Sequence, residues 1–471
     1  MMQLSRREVF GLLAASAVAA ADEWIPLFNG TDLTGWRANG DRAAWKARGG
    51  SLWAEGGRSV LHYAGREFHN FELEMEARTQ PGVTAGVYLP AAIQEGAAGP
   101  AGWEIAINNG ARHVWQRTGS LKDVRGVYKP PAADGSWFRL NVTARGANVQ
   151  VRVDGTLLVD YTDPAPPARG RIALACHGGK GAVEFRGLRV RPLPDDAAAP
   201  GEPAVMDDTA RRILAATRGN FPVVDYHAHL KLGLTLEQAL ARSRRDGLGY
   251  GIAVNCGKTF PVENDEGARA FHESMKGQPC YIAMQAEGRE WMQMFTRKAV
   301  GLFDYVFTDS MTWTDNHGKR MRTWMPAEVG TIADPEEFMQ TLVDRATGIL
   351  EHEPIDIYVN PTFVPDQLQK DYDRLWTDAR IRRVVEAARR NQVAIELNDR
   401  YKLPGVRVVK AAKAAGCKFT FGTNNTGPAD LGRSEYGLRM IEECGLKWDD
   451  FFVPGAWWPK AYERRGDLLK A

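Results

Sequence analysis

Two histidines one residue apart, His227 and His229, close the apolar run VVDYHAHL at residues 223–230. In a strand, side chains at i and i+2 point the same way, so Asp225, His227 and His229 share one face. That face suits a divalent metal such as zinc or manganese, which two imidazoles and a carboxylate hold while leaving a position for water. It equally suits two polar residues that merely end a strand, and the pair alone does not choose. Residues of the same kind recur downstream. Further apolar segments end in Asn255 with Lys258, Glu287, Asp309, Asn360, Glu396 with Asn398, and Asn424 with Asn425. An Asp or Asn there is as readily a turn former or helix cap as a ligand. Glu287 and Glu396 are different, because a carboxylate ending a buried strand is costly to dehydrate without a cation, which a metal or Lys258 would supply. His272, His317 and His352 lie in polar or helical contexts and read as surface residues.

These groups need elements to position them. The segments FPVVDYHAH, YGIAVNCG, YIAMQAEG, FDYVFTDS, IDIYVNPT, VAIELND and KFTFGTNN read as strands, with amphipathic helices between most of them. One helix begins at Asp334-Pro335, a cap followed by a first-turn residue, and carries Phe338, Leu342, Ala346 and Ile349 on one face. Alternating β and α predicts a parallel barrel or a doubly wound sheet. In a β/α barrel the C-terminal strand ends converge on the face where chemistry is carried out, which would gather the polar ends into one ring.

The first half has another rhythm. FELEMEARTQ, AGVYLP, GWEIAIN, WFRLNVTARG, NVQVRVDGTLLVDYT, RIALACHG and AVEFRGLRVRPL are short alternating strands, with a hairpin signal at Asp154-Gly155. Such spacing predicts an antiparallel sandwich. Between the halves, PLPDDAAAPGEPAVMDD is a linker by composition. The expected organisation is therefore 1–21 targeting segment, 22–193 sandwich, 194–212 linker and 213–471 barrel.

The chain has 471 residues, 25% of them charged, and a formal net charge of +2, which gives no electrostatic bias toward nucleic acid. Arg6-Arg7, an Ala-rich stretch and an Ala-x-Ala site before Asp22 follow the order of a twin-arginine export signal too short to span a bilayer, so a periplasmic or extracellular protein with no membrane span is expected. The five cysteines form no C-x-x-C pair and read as buried thiols.

Two resemblances follow from these motifs. His-x-His after the first strand, a strand-end Glu, then IDIYVNPT, AIELN and FTFGTNN make residues 219 to 460 similar to the polymerase and histidinol phosphatase (PHP) family, a seven-stranded β/α barrel. The family binds divalent metals and hydrolyses phosphate esters, which implies His227, His229 and Glu287 as ligands here. Asn360-Pro361 stands where the family has His-Pro, and Thr423-Asn424-Asn425-Thr426 where it has Ser-Asp-x-His. Asn oxygens bring no charge and replace imidazole poorly for zinc-like ions, so a full trinuclear phosphatase centre is not expected.

WIPLFNGTDLTGW, GVYLP, GWEIAI, WFRLNVTARGANVQVRVDGTLLVDYTD and GRIALACHGGKGAVEFRGLRVRPL make residues 24 to 193 resemble the 3-keto-disaccharide hydrolase domain, a concanavalin-like jelly-roll sandwich. The resemblance implies glycosides oxidised at C3, whose ketone acidifies the C2 proton and permits elimination of the aglycone. The Arg expected after GVYL is absent and Ala106 replaces an expected Gln, while Glu104 and His177 are present. His177 reads as a base or ligand, or as a hydrogen-bonded structural residue. Trp103, Trp115 and Tyr128 are candidates for stacking on sugar, and Trp137 reads as core.

The expectation is an exported carbohydrate hydrolase or lyase. Glu104, His177, Lys258 and Glu396 would be catalytic, Trp103, Trp115, Asn360 and Asn424 would bind substrate, and His227, His229 and Glu287 would hold a metal. The alternatives are a metal-dependent phosphoesterase with a sugar-binding domain and a non-catalytic sugar-binding protein.

Overall fold

The computed structural model describes residues 23–93, 100–197, 207–314 and 320–470. The targeting segment, the middle of the linker and His317 lie outside the described residues. Two compact units divide the chain, Met1–Val205 and Met206–Ala471.

The first unit is an antiparallel sandwich of an eight-stranded and a five-stranded sheet. Period-two alternation builds it: in Phe71–Thr79, Phe71, Leu73, Met75 and Ala77 enter the core while Glu72, Glu74 and Glu76 face outward. Those glutamates meet Arg191, Arg189 and Arg186 of Ala182–Pro192 across the sheet. The hairpin expected at Asp154-Gly155 joins Asn148–Val153 to Thr156–Thr162, both turn residues having positive φ, 48° and 81°. The early strands, such as Trp36–Gly40 and Ser59–Tyr63, carry no strong pattern of their own and complete the five-stranded sheet through pairing. Trp137 is not core. It is half-buried on the outer face of the larger sheet, between the guanidinium groups of Arg78 and Arg186 at 4.7 and 3.9 Å from its ring.

The second unit is a closed barrel of seven parallel strands, Val224–Ala228, Gly249–Cys256, Tyr281–Ala286, Tyr305–Thr308, Ile357–Tyr358, Ala394–Asn398 and Phe419–Gly422. All seven fall in the expected segments, and closure selects the barrel over the open sheet. Helix Pro335–His352 starts where its signals place it, with Asp334 accepting from the backbone N–H groups of Glu336 and Glu337. It buries Leu342, Ala346 and Ile349, and stacks Phe338 on Trp313. One boundary moves: helix Asp208–Arg218 occupies the end of the stretch read as linker to residue 212. Asp207 caps it and Ala210 and Ile213 are buried, a short apolar stripe hidden in sequence by the neighbouring Pro, Ala and acid. The five cysteines are free and buried, and no described helix is long and apolar enough to cross a membrane.

Candidate functional site

In the sandwich, alternation decides which side chains can meet. Along Val83–Ala92, Val83, Ala85, Val87 and Leu89 point into the core, so Thr84, Gly86 and Tyr88 take the opposite face. Along Ala101–Ile107, Trp103, Ile105 and Ile107 point inward, leaving Glu104 and Ala106 outward. Along Arg171–Gly179, Ile172, Leu174 and Cys176 point inward and His177 outward. Register places Tyr88 opposite Glu104 and Gly86 opposite Ala106. Glu104 and His177 therefore meet: His177 Nε2 lies 2.5 Å from Glu104 Oε1. The other carboxylate oxygen accepts from Tyr88 Oη and from Lys122 Nζ, each at 2.7 Å. Gly86 makes room, since a Cβ there would stand 2.6 Å from Glu104 Oε1.

Burial alone would raise the Glu104 carboxyl, but hydrogen bonds from His177, Lys122 and Tyr88 outweigh it and hold it below its ordinary range. Burial and Glu104 push the Tyr88 phenol up, so it remains a donor. With Nε2 turned to Glu104, His177 Nδ1 is the ring nitrogen without a partner among the described residues. His177, Glu104 and Lys122 line a cavity of about 230 Å³ together with Arg58, Thr84 and Gln116. The result is a carboxylate-oriented imidazole with cationic groups at the same wall, a competent base beside charge stabilisers.

Trp103 and Trp115 do not join this cavity wall. Trp103 falls on the inward face by alternation, is buried, and donates its indole N–H to Asp163. Trp115 is buried in the short helical turn Val114–Gln116, where its neighbour Gln116 reaches the cavity. Tyr128 is also buried. Lys122, Tyr88, Arg58 and Gln116 escaped the sequence reading. Tyr88 was accessible to it, since GVYLP paired with GWEIAI puts Tyr88 on the face of Glu104, but the loop residues Lys122 and Gln116 carry no periodic signal.

In the barrel the strand ends do form one polar network. Asp225 accepts from the backbone N–H of His227 and of Thr423 and from the Thr423 hydroxyl, tying the first strand to the last. Asn425 brackets His229, accepting from its N–H at 2.7 Å and donating to its carbonyl at 2.9 Å. His227 Nδ1 lies 2.7 Å from Glu396 Oε1, and Glu396 Oε2 accepts from the Asn360 backbone and the Asn398 amide. Asn360 donates to Asp309 and accepts from Asn398 and Asn424. Glu287 accepts from Asn255 and Gln285, and burial followed by the nearby Asp309 pushes it up to about 8.

Asn360 and Asn424 line a cavity of about 160 Å³ at this mouth, with Glu287 and Asp309. Lys258 does not reach it. The turn after the second strand, closed by Gly257 and Val262 backbone bonds, leaves Lys258 exposed, and the cations on the cavity are Lys231 and Arg400. Glu396 is no free base either, since both of its oxygens are committed within the buried network; it positions His227.

The donors partly fit a metal. His227 and His229 are buried, their Nδ1 atoms are held by Glu396 and by the Ala253 carbonyl, and neither Nε2 atom has a well-aligned hydrogen bond among the described residues, the pattern of an imidazole oriented for ligation. Burial, then His227 and Lys231, hold His229 well below its ordinary range and so neutral. The expected set is incomplete: among the described residues no three His, Cys, Asp or Glu side chains gather as ligands, so Glu287 does not close a triad with the histidines.

Comparison with known proteins bears on the sandwich. Residues 23–191 match the family model of the 3-keto-alpha-glucoside-1,2-lyase-like domain. No curated protein matches the chain. Similar solved structures include two from Parabacteroides distasonis provisionally described as glycosyl hydrolases. The first has 18% identity and TM-score 0.33, covering 41% of this chain and 99% of its own. The second has 22% identity and TM-score 0.31, covering 36% and 100%. The carbohydrate-binding module CBM66 from Bacillus subtilis has 17% identity and TM-score 0.26, covering 35% and 97%.

Proposed function

We propose that the sandwich cleaves glycosides oxidised at C3 by elimination, with His177 as base. The observation that carries this reading is the Glu104–His177 pair on a cavity wall within the segment matched by the lyase-like family model. His177 Nδ1 takes the C2 proton, which the C3 ketone acidifies. The C2–H electron pair becomes the C1=C2 bond, and the C1–O bond breaks, sending its pair to the aglycone oxygen. Negative charge developing on the ketone oxygen falls beside Lys122 and Arg58, and Glu104 stabilises the imidazolium. That imidazolium, or water, returns a proton to the departing oxygen. Addition of water to the new double bond would complete a net hydrolysis.

The test is aglycone release from 4-nitrophenyl 3-keto-α-glucoside by wild type and by His177→Ala. Deuterium uptake at C2 of a non-cleaved 3-keto sugar in D₂O supplies a second readout. Wild-type turnover in the variant would place the chemistry elsewhere. Binding without turnover in wild type would favour a sugar-binding domain.

For the barrel, the two Nε2 atoms without a well-aligned hydrogen bond support a divalent cation held by His227 and His229. Such a cation would supply Lewis acidity and a more acidic bound water. Metal content of wild type against His227→Ala decides this, and phosphate release from a synthetic ester tests the phosphoesterase alternative. Export is a separate proposal from Arg6-Arg7, checked by whether Arg6→Lys with Arg7→Lys blocks delivery out of the cytoplasm.

A further inference from the structure

The cavity at the barrel mouth holds a pattern that the sandwich chemistry does not use. Asn255 and Gln285 each give an amide N–H to Glu287, and Asn424 gives one to Asn360. Both amides end on one accepting oxygen, Glu287 Oε1, and this fixes which way they point. The amide oxygens of Asn255, Gln285 and Asn424 are thereby left as acceptors, and that of Gln285, whose side chain lies beside His229, is buried with no well-aligned hydrogen bond among the described residues. Acceptors without donors on a cavity wall call for ligand hydroxyl groups.

The same wall carries two cations. Among the described residues neither Lys231 nor Arg400 closes an ion pair or a side-chain hydrogen bond, although Arg400 lies over the Tyr401 ring at 5.1 Å. Lys231 is half-buried, where an unpaired ammonium is costly unless a ligand completes it. Tyr401 and Trp324 add aromatic faces suited to the C–H side of a sugar. The volume, about 160 Å³, equals roughly five waters of liquid, the scale of one sugar-sized molecule.

We propose that the barrel mouth binds a sugar acid, a polyol of about one sugar unit carrying a single carboxylate. Its hydroxyl groups donate to the amide oxygens, and its carboxylate lies between Lys231 and Arg400, a pair that Arg serves by two-pronged geometry. A phosphate ester fits less well, because the basic side chains on this cavity are Lys231 and Arg400, which a single carboxylate already engages, and a second negative charge would find no further cation there. The inference does not depend on the elimination proposed for the sandwich.

Titration calorimetry on the full chain tests it with D-gluconate, D-glucuronate, D-glucose and D-glucose 6-phosphate. At least one of the two acids should bind at least about tenfold more tightly than both glucose and the phosphate ester. Lys231→Gln and Arg400→Gln should each weaken that acid about tenfold or more, with unchanged melting temperature, while Glu104→Gln should leave it unaffected. The proposal is overturned if neither acid binds, if glucose binds as well, if the phosphate ester binds more tightly, or if both cation variants bind like wild type. Loss of acid binding in Glu104→Gln would move the site to the sandwich and overturn it equally.

Discussion

Each unit holds a histidine hydrogen-bonded to a glutamate of another strand, at 2.5 Å in the sandwich and 2.7 Å in the barrel. Both glutamates lie across a glycine of a neighbouring strand, Gly86 and Gly422, where a side chain would collide with the carboxylate. The pairs nevertheless differ in what they can do. The side chains of His177 and Glu104 are 25% and 8% exposed, on a cavity wall, whereas those of His227 and Glu396 are 1% exposed each. Glu104 takes its remaining bonds from the side chains of Tyr88 and Lys122, the latter on that cavity, and Glu396 takes one of its own from the Asn360 backbone in the loop after the preceding strand. Access and remaining valences thus separate two histidine–carboxylate pairs of similar geometry, one on a cavity wall and one enclosed in a buried network.

The largest expected effects separate these roles. His177→Ala should lower kcat/KM for a 3-keto-glycoside about 10²–10⁴-fold with little change in melting, because a general base is removed from a partly open wall. His227→Ala should do the reverse. Stranding Glu396 in a sealed network costs about 3–5 kcal/mol of barrel stability, read by urea unfolding, and leaves aglycone release near wild type. If His227→Ala instead abolished aglycone release while the sandwich stayed folded, the contrast would collapse.

The glycines sharpen the same comparison. Gly86→Ala should displace a carboxylate whose three partners are all side chains that can follow it, losing about tenfold in activity for little stability. Gly422→Ala meets a carboxylate held in part by the Asn360 backbone inside a buried network and should cost about 1–3 kcal/mol instead.

Opposite in sign between the units are the acid–base effects. Burial pushes Asp399, at the end of the sixth barrel strand, up to about 7 despite N–H bonds from Tyr436 and Gly437 and the nearby Lys402. Its folded carboxyl binds a proton more tightly than the unfolded one. Its contribution to barrel stability therefore falls as pH rises from the ordinary carboxylate value, about 4, to about 7, by up to about 1.4 kcal/mol per unit, and then levels. Asp399→Asn should remove that share of the slope. Glu104 is held low, so its stabilising contribution is present at neutral pH and is lost only as pH falls below the ordinary carboxylate range. Unfolding midpoints of Asp399→Asn and Glu104→Gln between about pH 2 and 8 distinguish the two signs.

Periodicity made much of the architecture legible. The seven apolar segments ending in polar residues, and the alternating strands around Glu104 and His177, each announce a period that local chemistry enforces. Trp103 shows where that reading could have gone further, since two residues beyond it Ile105 is inward and Trp103 must be inward too. Lys122, Arg58 and Gln116 could not be read, because loop residues reach a cavity through chain path rather than period.

By itself the sequence determined two rhythms, the faces on which Glu104, His177, His227 and His229 stand, and the polar character of the barrel mouth, because side-chain period and strand-end polarity are local properties. The tertiary structure decided which carboxylate sits against which histidine, that Lys258 turns outward while Lys231 and Arg400 line the cavity, and that Glu396 is fully engaged. Those outcomes depend on strand register, barrel closure and burial, which arise from contacts between residues far apart in the chain.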